Sequence, residues 1–203
     1  MFEARRDVHR VAVTAYGTSR ASQEWTAIAE VSGRAVAVHE RFEPGEILPA
    51  GEPLVQIDPT DYQLAVDRCE AEVRARLEEL RQLEQTEDNL EEIFGLQSRQ
   101  LLLAQSEYDR QLALFKKKTI PQSTLETAED ALVVRLTAVQ ETTNRLELIP
   151  VERDLLWASL EVAQTQWGQA NRQLEKCRIL VPFAARCASK SMEAEQFVTA
   201  GER

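Results

Sequence analysis

The feature that most constrains this chain is one long helical excursion, from Pro59 to about Arg178. Between Tyr62 and Lys118 the sequence holds a single glycine, Gly95, and no proline. Leu, Ala, Glu, Gln and Arg, all good helix formers, fill that interval. A second run, from about Gln122 to Lys176, is interrupted only by Pro150 and Gly168. Between the two lies Lys116-Lys117-Lys118-Thr119-Ile120-Pro121-Gln122, where the helix signals stop. Ser123-Thr124-Leu125-Glu126 then has the form of a capping box, in which hydroxyl and carboxylate serve each other's orphan amides.

Each arm is nearly 60 residues, about 85 Å at ~1.5 Å rise per residue. Leu125, Ala128, Leu132, Leu136, Val139, Thr143 and Leu146 step by threes and fours, and so do Val73, Leu77, Leu80 and Leu83. Each set makes a narrow seam, so each arm needs one long partner. Equal arms joined by a short polar turn predict an antiparallel helical hairpin. Pro150 and Gly95 lie at similar distances from the turn and predict a shared bend or break. Arg74–Glu78 and Arg81–Glu84 are spaced for ion pairs along a solvated face.

The hairpin takes most of the 203 residues and leaves about 80 for a compact core, enough for one small β domain. A net charge of −10 argues against nucleic acid and anionic membrane surfaces as partners. No apolar run approaches the ~20 residues that span a bilayer. The opening residues Met1 to Asp7 lack the apolar stretch of a signal peptide. The chain therefore reads either as intracellular or as an exported protein without its export segment. Folding the arms about residue 119 or 120 puts Cys69 opposite about residue 170, roughly 10 Å from Cys177. That is beyond bridging distance, so free thiols are expected.

The flanks of the hairpin are β-like. Val8 to Ala29 alternates as a half-buried strand segment, with Val11, Val13 and Tyr16 before Gly17, and Trp25, Ala27 and Ala29 after it. Val31 to Val38 is a short strand run, followed by turns at Glu43-Pro44-Gly45-Glu46 and Ala50-Gly51-Glu52-Pro53 and then Leu54 to Ile57. Past the hairpin the pattern returns. Val181 to Ala188 resembles the run around Gly33-Arg34, and residues 193–202 track residues 43–52 at a constant offset of 150. Such a repeat implies one β domain built of two similar halves, with the hairpin inserted between them.

These residues resemble the periplasmic adaptor proteins, also called membrane fusion proteins, of tripartite efflux pumps and type I secretion systems. The resemblance rests on Val31-Ser32-Gly33-Arg34-Ala35-Val36, on Pro44-Gly45 through Gly51-Glu52-Pro53-Leu54-Val55-Gln56-Ile57-Asp58, and on Ile179-Leu180-Val181-Pro182-Phe183. It implies an α+β fold, a long antiparallel coiled-coil hairpin inserted between the halves of a lipoyl-like β domain. It divides the chain into a β segment, 1–30, leading from an incomplete membrane-proximal or β-barrel region; the first lipoyl-like half, 31–58; the hairpin, 59–178; and the second half, 179–203. By this resemblance the chain reads as a fragment of a longer adaptor.

The family places its members in the periplasm, associated with the inner membrane. They link an inner-membrane transporter, proton-driven (RND type) or ABC, to an outer-membrane channel for efflux of small molecules. The ABC alternative is a type I protein or drug secretion system, and family members commonly assemble as homo-oligomeric rings. Efflux adaptors carry Arg, Leu and Ser flanking the hairpin turn, where they touch the channel. Arg110 and Leu114 match; the third position is Pro121, with Ser123 two residues on. Two departures mark the second half: Ala184-Ala185 replaces the usual Asp-Gly, and Glu195 the usual Gly. A positive φ at Ala185 or Glu195 would be strained.

No catalytic, metal or cofactor motif is present. His9 and His39 lie in β-like segments with no nucleophile or paired acid at motif spacing. Two rivals come from other classes. A lipoyl or biotin carrier needs a lysine on a tight hairpin between the halves, and no lysine occurs between Met1 and Arg110. A structural coiled-coil spacer would have the hairpin without a docking tip.

Overall fold

The computed structural model describes residues 2–4 and 12–202. Three strands, β1 (Gly33–Val38), β2 (Ile47–Leu48) and β3 (Pro53–Ile57), precede the helices α1 (Thr60–Lys116) and α2 (Gln122–Glu175). Three more, β4 (Arg178–Leu180), β5 (Ala185–Arg186) and β6 (Phe197–Val198), follow them. The strands form one antiparallel sheet in the order β4-β3-β1-β6 and a two-stranded pair β2-β5. This is the expected α+β class, with the hairpin inserted between two halves of a β domain.

The two halves interlock. Strand β2 of the first pairs with β5 of the second, and β6 of the second pairs with β1 of the first. The amide of Gly45 donates to the Cys187 carbonyl at 2.8 Å, and that of Glu195 to the Ala35 carbonyl at 2.8 Å. Gly51 donates to Val181 at 2.8 Å and Gly201 to Ala29 at 2.7 Å. The offset of 150 is thus repeated in backbone geometry: Gly45 and Glu195 have φ of 96° and 69°, Gly51 and Gly201 of 82° and 92°. Leu48 and its mate Val198 both point into the core. Ala185 takes no such conformation and lies in β5, so the strain foreseen for the second half falls on Glu195 alone.

The core draws on both ends of the chain, with Ala35, Leu54 and Ile57 packed against Cys177, Val181 and Val198. A Cβ on Gly33 would lie 2.6 Å from Ile57 Cγ2, so only glycine allows β1 to approach β3 there. The hairpin roots are tied to this core. Ile57 donates its amide to the Cys177 carbonyl at 2.8 Å, and the Tyr62 hydroxyl donates to the Ser32 carbonyl at 2.8 Å. At the start of α1, Asp58 Oδ1 accepts from the Thr60 hydroxyl at 2.7 Å and from its amide at 3.0 Å, which holds the carboxyl below its ordinary pKa.

Residues 12–24 are not the half-buried strand that alternation suggests. They carry no regular structure, and Val13 and Tyr16 are 85% and 97% exposed. Only from about Ala27 does the segment join the core, which it does through Ala29 and Val31. His9 and Val11 lie outside the described residues.

Along the hairpin the seam follows a seven-residue repeat, but in a somewhat different register from the one read in the sequence. Leu136 is exposed, and Thr142 rather than Thr143 is buried. Thr142 tolerates burial because its hydroxyl donates to Gln97 Oε1 across the seam at 2.7 Å. Arg153 pairs with Glu87 in the same way, from arm to arm. At the base Val66 and Cys69 pack with Ala170 and Leu174. These contacts are symmetric about residues 119–120. All three cysteines are buried and unpaired, as the arm geometry predicts.

Three local expectations fail, and of a fourth, the bend or break at Pro150 and Gly95, the break is absent: helix α2 runs unbroken through Pro150, and α1 through Gly95. Pro150 is exposed, and water can serve the Leu146 carbonyl that loses its partner. The capping box does not form, because α2 starts at Gln122 with Pro121 as N-cap and no side-chain cap bond. Ser123 therefore sits inside the first turn, where its carbonyl accepts from the Thr127 hydroxyl, while Glu126 accepts from Gln122. On α1, Arg74 pairs back to Glu70 at 4.0 Å and Arg81 to Glu78 at 2.5 Å, rather than forward to Glu78 and Glu84.

Candidate functional site

Chemistry at the base of the molecule is structural. His39 has both ring nitrogens occupied: Nε2 faces Glu52 Oε2 at 2.7 Å and Nδ1 accepts the Arg41 amide at 3.1 Å. Burial, with the charge of Asp58, pushes the Cys177 thiol up, so it is a poor nucleophile. Among the described residues no group of three metal-binding side chains occurs. The connection between β3 and β4, where a carrier domain would hold a lysine, is the hairpin itself.

At the far end of the hairpin, about 80 Å away by helical rise, the turn is closed by backbone geometry. Thr119 donates its amide to the Leu114 carbonyl at 3.0 Å and Lys118 to that of Phe115 at 2.7 Å, the two bonds of a Schellman motif. Lys118 is the residue at the left-handed position, with φ 57°. A lysine there costs about 1 kcal/mol relative to glycine. Pro121, with extended ψ of 160°, then redirects the chain into α2.

The four residues singled out by sequence all lie around this turn. Arg110 is exposed, and its guanidinium pairs with Glu107 one turn earlier. Glu107 also accepts from Gln111 Nε2 at 2.5 Å. Leu114 is half-buried, Pro121 and Ser123 are exposed. Sequence reasoning passed over Lys116, Lys117 and Lys118 as the place where helix stops. The signal was available: the chain has five lysines, three of them in this turn, and no acidic residue falls between Asp109 and Glu126.

No protein-family model and no curated protein matches the sequence. Solved structures do. MacA from Actinobacillus actinomycetemcomitans superposes with a TM-score of 0.53 at 19% identity, over 85% of this chain and 45% of MacA. The chain has the periplasmic adaptor fold. The periplasmic adaptor protein EmrA aligns over 89% of this chain and 70% of its own length, at 18% identity and TM-score 0.48. The soluble domain of LipC, a membrane fusion protein of a type I secretion system, aligns over 80% and 90% at 14% identity and TM-score 0.32. The present chain spans under half of MacA, and 37% of a matching solved structure from Bacteroides eggerthii DSM 20697. Among the described residues no helix is long and apolar enough to cross a membrane.

Proposed function

We propose that this chain is the hairpin-bearing part of a periplasmic adaptor that links an inner-membrane transporter to an outer-membrane channel and performs no catalysis. The observation that carries the reading is the topology. A two-helix rod leaves a β domain between its two interlocked halves and returns to it, with a polar, exposed turn at the far end. Such a rod gives reach, and a few side chains at its tip give contact. Arg110 and Leu114 are proposed as channel-facing residues, with Pro121 and Ser123 shaping the opposite arm beside them. Arg110 pairs with Glu107 and stays exposed, and its planar guanidinium suits carbonyls or carboxylates at helix ends.

The test is made in the native host, with substitutions introduced into the chromosomal gene. Arg110→Ala combined with Leu114→Ser should abolish export while helix content and thermal stability of the purified chain stay nearly unchanged. A structural spacer would tolerate both, so normal export with the double substitution sinks the docking role.

A further inference from the structure

Resting on that adaptor reading, we infer that the recognition element of the tip is the lysine turn, and that it reads a carboxylate-bearing protein surface. Three observations converge on it. Lys176 pairs with Glu30 at 2.7 Å and Lys190 with Glu43 at 2.8 Å, whereas Lys116, Lys117 and Lys118 make no ion pair among the described residues. Residues 110–125 carry four positive side chains and no negative one, on a chain whose net charge is −10. Lys118 occupies a left-handed helix cap, and the other positive φ angles among the described residues fall in β-domain turns, at Gly45, Gly51 and Gly201 and at Glu195. Lys116 already complements the C-terminal end of the α1 dipole, so helix stability does not call for a charge at Lys118.

Screening makes the placement effective. At physiological salt the Debye length is about 8 Å, so the acidic arms beyond the last turns do not cancel the field of the tip. An approaching surface meets a local cation cluster on an otherwise acidic molecule. A protein surface fits better than a lipid one because Phe115 alone of the large apolar side chains at the turn is exposed, too little for a membrane wedge. Leu114 and Ile120 are half-buried, and Phe115 is 36% exposed. The flanks are hydrogen-bonding groups, Arg110, Gln122 and Ser123.

The purified chain is captured on poly-L-glutamate and, separately, on phosphatidylcholine vesicles with one third phosphatidylglycerol, across about 50–300 mM salt. Wild-type chain should bind polyglutamate in a salt-dependent way, and Lys116→Gln/Lys117→Gln/Lys118→Gln should weaken it about tenfold at about 150 mM salt. Lys118→Gly is the decisive variant: its melting temperature should rise by about 2–4 °C as the strained cap relaxes, while capture weakens. Unchanged capture in the triple variant, or Lys118→Gly losing stability, overturns the inference. Tighter capture on the vesicles than on polyglutamate also overturns it and assigns the tip to lipid. A photo-crosslinker at Ile120 separates this from the adaptor reading. If it captures no outer-membrane channel in cells while polyglutamate binding behaves as expected, the adaptor reading fails and the basic tip stands.

Discussion

In the β domain, apolar side chains from both ends of the chain meet in one core, and Ile57, Cys177 and Ala35 lose all contact with water. In the hairpin the seam is narrow, and two of its levels are polar: Glu87 with Arg153, and Gln97 with Thr142. A broad core fixes its partners by shape and by the backbone bonds that join the halves. A narrow seven-residue repeat does not, because an arm slipped by one heptad still matches apolar to apolar. Polar pairs at single levels penalise such slips. The base is thus specified by packing, and the rod by pairing.

The largest effect should come from the base. Ile57→Ala removes a fully buried side chain beside Gly33 and the hairpin roots, at a cost of about 2–5 kcal/mol. The β domain should melt earlier in thermal scans while most helical circular dichroism persists. If helix and β signals are lost together at the lower temperature, the rod depends on the base and the contrast drawn above is wrong.

The second test acts on the rod. Arg153→Leu leaves Glu87 without its partner. The side chains keep 35% and 28% of their surface exposed, so the cost is about 1–2 kcal/mol, less than for a dry pair. Adding Glu87→Leu should restore most of the stability. Spin labels on the two arms should then show a broader distance distribution, because the level no longer discriminates register. A double variant as sharply registered as wild type would show that the polar pair does not set alignment.

The halves of this picture were not equally readable. The hairpin was legible because its signal is long: helix formers over both arms, one turn, and matching lengths. The β halves were legible because residues 193–202 repeat residues 43–52, and the repeat survives as φ angles and hydrogen bonds. The seam was misread at Leu136 because apolar residues crowd that level, among them Val133 and Val134, all exposed. The cross-arm bond from the Thr142 hydroxyl to Gln97 lets a threonine sit inside instead, and no local pattern shows that. Pro150 does not break α2, because its cost depends on which side of the helix faces water. At the tip, the pairing of Arg110 with Glu107 was available from their spacing of three. The left-handed conformation of Lys118 was not, since lysine has no preference for it.

The smallest effect returns to the two halves and compares one turn with its mate. Glu195 and Gly45 hold equivalent left-handed positions, each donating its amide across to the other half. Glu195→Gly should stabilise. It relieves the strain at φ 69°, against which stand the extra freedom of glycine in the unfolded chain and the loss of an exposed ion pair to Arg34. The pair is 62% and 71% exposed and contributes little. The net gain is about 0.5–1 kcal/mol. Gly45→Glu should do the reverse by about 1 kcal/mol or slightly more, and through the backbone alone, because a Cβ at Gly45 meets nothing within 4 Å. Denaturant midpoints for the two variants should therefore move in opposite directions, with unchanged slopes. If both fall, Glu195 does more than occupy a turn, and its bond to Arg34 holds the second half to the first.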